Sequence, residues 1–272
     1  MGTLYIVATP IGNLEDMTFR AVRILKEVRL IAAEDTRTSR VLTNHFEIET
    51  PLTSYHEHNK LRKLDAIFEA LASGDVALIS DAGTPGISDP GYELIQEALQ
   101  RGYPVVPIPG ANAIITALVG SGFPTDQFVY LGFLPKKASS RYDFLRSLQH
   151  EQRTMVCYES PHRVADTIGQ IAEVLGADRM VCIARELTKK FEEFWRGTAQ
   201  EAYEHFRDEN PKGEITLLIG GAPDVGLWDE DRVRLALQKQ LSIGESLSRA
   251  SKAVAALSGW KKSEVYAIGL EE

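Results

Sequence analysis

Six short loops hold most of the residues that could do chemistry: ATPIGNL (8–14), AAEDTRTSR (32–40), SDAGTPGISDPG (80–91), PGANA (109–113), YESPHR (158–163) and ARELTKK (184–190). The second places Glu34, Asp35 and Arg37 directly after an apolar run, which suits proton transfer or ion binding as well as a helix cap beside a salt bridge. In the third, Gly83 and Gly86 let the main chain approach a ligand, Pro85 stiffens the path and Asp81 offers a carboxylate. Its glycines miss the G-x-G-x-x-G fingerprint, and no G-x-x-x-x-G-K-[ST] occurs, so a ligand bearing amine and hydroxyl donors fits better than a phosphate. Asn112 can cap the helix after PGANA, and Asp16 or Thr18 the helix after ATPIGNL. The fifth and sixth loops set acid beside base: Glu159 with His162 and Arg163, and Arg185 and Glu186 with Lys189, which surface ion pairing would also explain.

These loops need strands to end on. Short β-branched runs at 4–8, 29–34, 76–80 and 104–108 alternate with helical periodicity near 18–27, 58–73 and 91–101, the pattern of a parallel sheet covered by helices. IPGAN (108–112) reads as a hinge. Beyond it, runs at 128–133, 154–159, 180–186, 191–198 and 214–220, with helical stretches near 139–149 and 161–175, predict a second, mixed sheet, because FEEFWRGT follows its predecessor too closely for a crossover. GGAPDVG (220–226) reads as a linker, and 229–240, 245–257 and 261–269 as a helical appendage. The expected organisation is an N-terminal α/β domain (1–110), a second α/β domain (111–222) and a helix-turn-helix-like appendage (229–272). Ligands in such sheets collect at the carboxyl ends of strands, where the six loops lie.

The formal net charge of −8 argues against a chain that coats nucleic acid indiscriminately. Basic residues nevertheless gather at Lys136, Lys137, Arg141 and Arg146, and at Arg249, Lys252, Lys261 and Lys262, patches able to meet an anionic partner or to be solvated helical faces. Cys157 and Cys182 sit within apolar runs and read as core residues. His56 and His58 lack a third metal ligand in view, so no metal is expected. With neither a membrane-length apolar run nor a signal-peptide pattern, the cytoplasm is the expected compartment.

Taken together, YIVATPIGNLEDMTFRA, IAAEDTRTSR, LISDAGTPGISDPG, PIPGANAIITAL, LGFLPKK, YESPHR, ARELTK and KGEITLLI resemble the tetrapyrrole methylase superfamily over roughly residues 3–220, and within it the branch that 2′-O-methylates a decoding-region cytidine of 16S rRNA. The resemblance implies S-adenosylmethionine in a cleft between two α/β domains, a homodimer, and an rRNA partner in an assembled or nearly assembled small subunit. By motif, the cofactor would contact Pro10, Asp81, Gly83, Thr84, Pro85, Asn112, Ala113, Glu159 and Leu187. Where the corrin and sirohaem branch carries Gly-Asp-Pro, this chain reads DAGTP, which disfavours a tetrapyrrole substrate.

For such a transfer, Glu34 or Asp35 are candidate proton acceptors, with Arg37 and Lys189 holding phosphate or oxyanion; no residue pattern chooses among them. Lys136, Lys137, Arg141, Arg249, Lys252, Lys261 and Lys262 are the expected rRNA contacts. Two readings compete: a methyltransferase for a tetrapyrrole-like small molecule, and a non-catalytic rRNA-binding assembly factor. The basic appendage disfavours the first, the retained strand-end loops the second.

Overall fold

The computed structural model describes residues 2–56, 60–209, 211–223 and 228–270. Two compact units result, Met1–Ala222 and Pro223–Glu272. The first unit opens with β1 (Leu4–Val7), α1 (Phe19–Glu27), β2 (Leu30–Ala33), α2 (Thr36–His45), β3 (Leu52–Ser54), α3 (Lys60–Ser73), β4 (Val76–Ile79), α4 (Tyr92–Gln100) and β5 (Val105–Ile108). These strands form a parallel sheet in the order β3-β2-β4-β1-β5.

Alternation along each strand divides the core. Val7, Ala77 and Ile79 face one helical layer with Ala21, Ile24 and Leu25 of α1. Leu4, Ile6, Val76 and Leu78 face the other, with Ile67 and Leu71 of α3 and Leu94 and Ala98 of α4. Each fully buried Leu or Ile contributes about 1.5–3 kcal/mol, so covering both faces explains why these strands are apolar throughout rather than alternating. Thr18 caps α1, accepting a hydrogen bond from the Ala21 amide at 3.1 Å.

After α5 (Ala113–Ser121) come β6 (Phe128–Phe133), α6 (Ala138–Ser147), β7 (Thr154–Glu159), α7 (Val164–Leu175), β8 (Met180–Arg185), β9 (Glu193–Thr198), α8 (Ala199–Phe206) and β10 (Ile215–Ile219). Their order is β6-β7-β10-β8-β9; β6 and β7 are parallel and the other pairings antiparallel, including the expected β8–β9 hairpin. One face packs on α6, α7 and α8. The other receives Ile114, Ala117 and Leu118 of α5 together with Ile11, which comes from the loop after β1. Cys157 and Cys182 are buried thiols, as expected.

The second unit contains α9 (Glu230–Ser242), α10 (Leu247–Ser258) and α11 (Lys262–Ile268) around Val233, Leu237, Ala250, Val254, Val265 and Ile268. Gly259, at φ +72°, ends α10 in the left-handed conformation and makes the turn into α11. No helix among the described residues is long and apolar enough to cross a membrane.

Candidate active site

The loop after β1 is joined to the loop after β4 chiefly by main chain, with the Thr9 hydroxyl adding a bond to the Ser80 carbonyl at 3.2 Å. The Thr9 amide donates to the Gly83 carbonyl at 2.8 Å, and the Gly83 amide returns a bond to Thr9 at 3.0 Å. Gly83 adopts φ +78°, a conformation costly for residues with a Cβ. The same loop is tied to PGANA, where Asn112 caps α5 by accepting from the Ile114 and Ile115 amides and donates from Nδ2 to the Thr84 hydroxyl at 3.3 Å.

Between these loops and the ends of β7 and β10 lies a cavity of ≈ 410 Å³. Ile11, Leu187, Ile215, Phe133 and Tyr158 give it apolar and aromatic walls, while Glu34, Asp81, Asp89, Glu159 and Glu214 supply carboxylates. No Lys, Arg or His stands among the described lining residues. With Glu159 held by Arg163 and Glu214 by Lys189, the charge left to the cavity is that of Glu34, Asp81 and Asp89, which repels phosphate and favours a ligand with a cationic head and a flat apolar ring.

Seven of the nine expected cofactor residues line this cavity: Asp81, Gly83, Thr84, Asn112, Ala113, Glu159 and Leu187. Pro10 instead lines an adjoining hollow with Gly12 and Lys189, and Pro85 is buried beneath the loop. Glu159 is a wall residue whose carboxylate is occupied. It accepts from the Ser160 amide, from the Arg163 guanidinium (Nε at 2.9 Å) and from the Thr167 hydroxyl at 2.7 Å.

The four expected catalytic residues separate. Glu34 reaches the cavity, whereas Asp35 and Arg37 line a groove outside it, with Ser54, His56, Asp81 and Asp89. Asp35 caps α2 through the Arg37 amide and chelates the exposed Arg37 side chain at 2.7 Å. Those bonds to Arg37 hold the Asp35 carboxyl at about 2, which makes it a weak base. Glu34 moves the other way: burial raises it, against the Asp81 amide, and the Asp81 charge adds to the rise. The Asp81 amide faces Glu34 Oε2 at 3.4 Å, and Asp81 Oδ1 accepts from the Asp35 amide at 3.1 Å, so β2 and β4 end in a reciprocal clasp. Burial raises Asp81 as well.

Lys189 Nζ is bound at 2.8 Å by Glu186 and at 3.0 Å by Glu214. Burial opposes its charge, yet those two carboxylates carry its pKa upward. Its alkyl chain crosses Gly12, where a Cβ would lie 2.4 Å from Lys189 Cγ. The functional part of Gly12 was hidden in the sequence, since Pro-x-Gly signals only a turn.

Asp89 was missing from the expected set. It lines both cavity and groove, stands beside the Ser80 hydroxyl, and is pushed up to about 6 by burial and by the Glu34 charge. Of the expected RNA contacts, Lys136, Lys137, Arg249, Lys252, Lys261 and Lys262 are exposed. Arg141 is a correction: only 3% exposed, it donates from Nε to Gln170 at 2.6 Å and ties α6 to α7. Helical spacing carries it to the inner face of α6 beside Leu145. His58 lies outside the described residues.

A parallel sheet joined to a mixed one, with a carboxylate-lined cavity at the strand ends, defines a class. Residues 3–203 match the tetrapyrrole (corrin/porphyrin) methylases, and the chain belongs to that family. It is 47% identical over 274 residues to the ribosomal RNA small subunit methyltransferase I of Synechocystis sp., covering 100% of this chain and 98% of that one. To the protein of that name from Bacillus subtilis it is 44% identical, covering 98% and 93%. The uroporphyrin-III C-methyltransferase of Thermus thermophilus, solved with S-adenosyl homocysteine, shares the fold at a TM-score of 0.57 and 19% identity, covering 83% of this chain and 100% of that one.

Proposed function

We propose that this chain transfers the methyl group of S-adenosylmethionine to the ribose 2′-hydroxyl of a cytidine in the decoding region of 16S rRNA, acting in the cytoplasm on an assembled or nearly assembled small subunit. The observation that carries the reading is the cavity whose described lining holds several carboxylates and no cationic side chain, in a chain 47% identical to a ribosomal RNA small subunit methyltransferase I.

The residues fit the cofactor by chemistry. Asp81 and Glu34 suit its cationic head, the main chain of Ala82–Thr84 its polar edges, and Leu187, Ile215 and Phe133 its ring. When bound, it supplies an electrophilic methyl group on a sulfonium. The protein's own work is to hold the hydroxyl in line, exclude water and take up a proton; alignment alone is worth up to about 7–11 kcal/mol. Arg37, on the rim of the groove, suits an RNA phosphate, and so do Lys136, Lys137 and the basic residues of α10 and α11. Lys189, held between two carboxylates, braces the loops rather than meeting an oxyanion.

The domain reading follows the two sheets, one for residues 1–110 and one for 111–222, with the cofactor between them. A homodimer is part of the proposal, and light scattering checks it. The function is tested with purified protein, labelled S-adenosylmethionine, small subunits, protein-free 16S rRNA and a tetrapyrrole. Label on one cytidine ribose of the small subunit is the expected result; label on the tetrapyrrole alone, or none with intact cofactor binding, overturns it.

A further inference from the structure

We propose that Asp89 is the proton acceptor for the attacking ribose hydroxyl, a role that rests on the methyl transfer proposed above. An RNA strand reaches the cavity from outside, so the acceptor belongs where the inner cavity meets the outer groove. The residues that line both are Glu34, Asp81, Ser88 and Asp89. Two of the three carboxylates there are engaged by main chain: Glu34 faces the Asp81 amide and Asp81 accepts from the Asp35 amide, which leaves each holding strand ends together. Among the described residues no main-chain amide and no cation engages Asp89, and the Ser80 hydroxyl stands beside it.

The turn that carries it is stiff. Ser88 sits at φ +61°, in left-handed space unusual for a residue with a side chain, and its hydroxyl lies 2.6 Å from the Tyr130 hydroxyl on β6. Gly91, at φ +150°, closes the turn where a Cβ would stand 3.0 Å from Leu78 Cδ2. Asp89 is thereby fixed between two sheets rather than carried on a loose loop.

Its electrical surroundings are mostly acidic. Glu34 at the end of β2, Asp81 at the end of β4, Asp35 and Arg37 at the start of α2, and His56 after β3 share its groove, while Tyr130 of β6 and Tyr158 of β7 stand beside it with hydroxyls that burial keeps protonated. Burial and the Glu34 charge leave Asp89 titrating near 6, so at neutral pH it is ionised and still basic enough to accept a proton. As the hydroxyl oxygen bonds to the methyl carbon, its proton passes to Asp89, and the electron pair of the broken carbon–sulfur bond stays on sulfur. The proton then leaves to water through the groove.

The test uses the full chain, small subunits and saturating S-adenosylmethionine. If the wild-type chain methylates no ribosomal RNA, the methyl-transfer reading itself falls, and this role with it. Given wild-type activity, Asp89→Asn should lower kcat by about 10²-fold or more, with cofactor and small-subunit affinities within about threefold. It should also abolish the rise of kcat between about pH 5 and 7, which Glu34→Gln retains and Asp89→Glu restores with a shifted midpoint. In the cofactor-free protein, the carboxyl carbon resonance missing from Asp89→Asn should titrate near 6. Wild-type kcat in Asp89→Asn, an unchanged pH profile, or loss of cofactor binding would each overturn the assignment, the last by making Asp89 a wall residue.

Discussion

Charged loops end the strands of both sheets, and they have opposite fates. At the mixed sheet, YESPHR and ARELTKK carry their own cations, and the cations neutralise the acids: Arg163 clamps Glu159, and Lys189 joins Glu186 to Glu214. At the parallel sheet, Asp35 is paired by Arg37, but Glu34, Asp81 and Asp89 meet amides and hydroxyls instead, and their pKa values rise. Similar-looking clusters therefore do different work. Where a base follows an acid by three or four residues, the pair builds a wall; where acids converge from separate strands without a base, they face the cavity.

Breaking the wall should have the largest effect. Arg163→Ala strips the partner from the fully buried Glu159 carboxylate, and denaturant unfolding should show a loss of about 3–5 kcal/mol. A loss under about 1 kcal/mol would erase the distinction between the sheets. On the other side, Asp81→Ala should cost unfolding only about 0.5–1.5 kcal/mol, the loss of its bond from the Asp35 amide, while weakening cofactor binding about 10–100-fold by calorimetry, the worth of a hydrogen bond to a charged group. Equal affinity would return DAGTP to a purely structural role.

The raised acids also give the comparison a pH signature. Asp89 in the folded chain titrates near 6 against an ordinary value of 3.8, so the folded state holds the proton longer than the unfolded chain. Its contribution to stability is full below about pH 4 and is lost as pH rises through about 6. Asp89→Asn should flatten that decline and gain on the order of 1 kcal/mol at pH 7, after allowance for solvent screening. A steeper decline would show the sign reversed. The smallest effects belong to the surface: Lys136→Gln and Lys137→Gln should each reduce the salt slope of rRNA binding by about 1, whereas Arg141→Gln should leave the slope intact and lower stability. Wild-type slopes for Lys136→Gln and Lys137→Gln would remove the segment before α6 from the interface.

Much of this architecture was legible because strands buried on both faces read as continuous apolar runs, and LYIV, VALI and ITLLI announce themselves that way. β3 escaped notice at three residues, and α2 showed only its cap because TRTSRVLTNH is rich in helix-indifferent threonine and polar residues. α8 had a signal that went unread, the capping box from Thr198 to Glu201. Within the site, loops predicted which residues gather but not which remain available. Asp89 was invisible because SDPG reads as a turn, and only the fold returns it to Asp81 across the chain between them. Arg141 looked like its basic neighbours because the inner side of a short, weakly amphipathic helix is not marked by residue type.

The Thr9–Gly83 bridge has a consequence for inheritance. Both bonds run between peptide groups, so changes of side chain along ATPIG and DAGTP leave them standing except at Gly12 and Gly83, where a Cβ meets Lys189 or a left-handed backbone. A scaffold fastened in this way tolerates most mutation in its cradle, and an alanine scan would register the joint chiefly at Gly83.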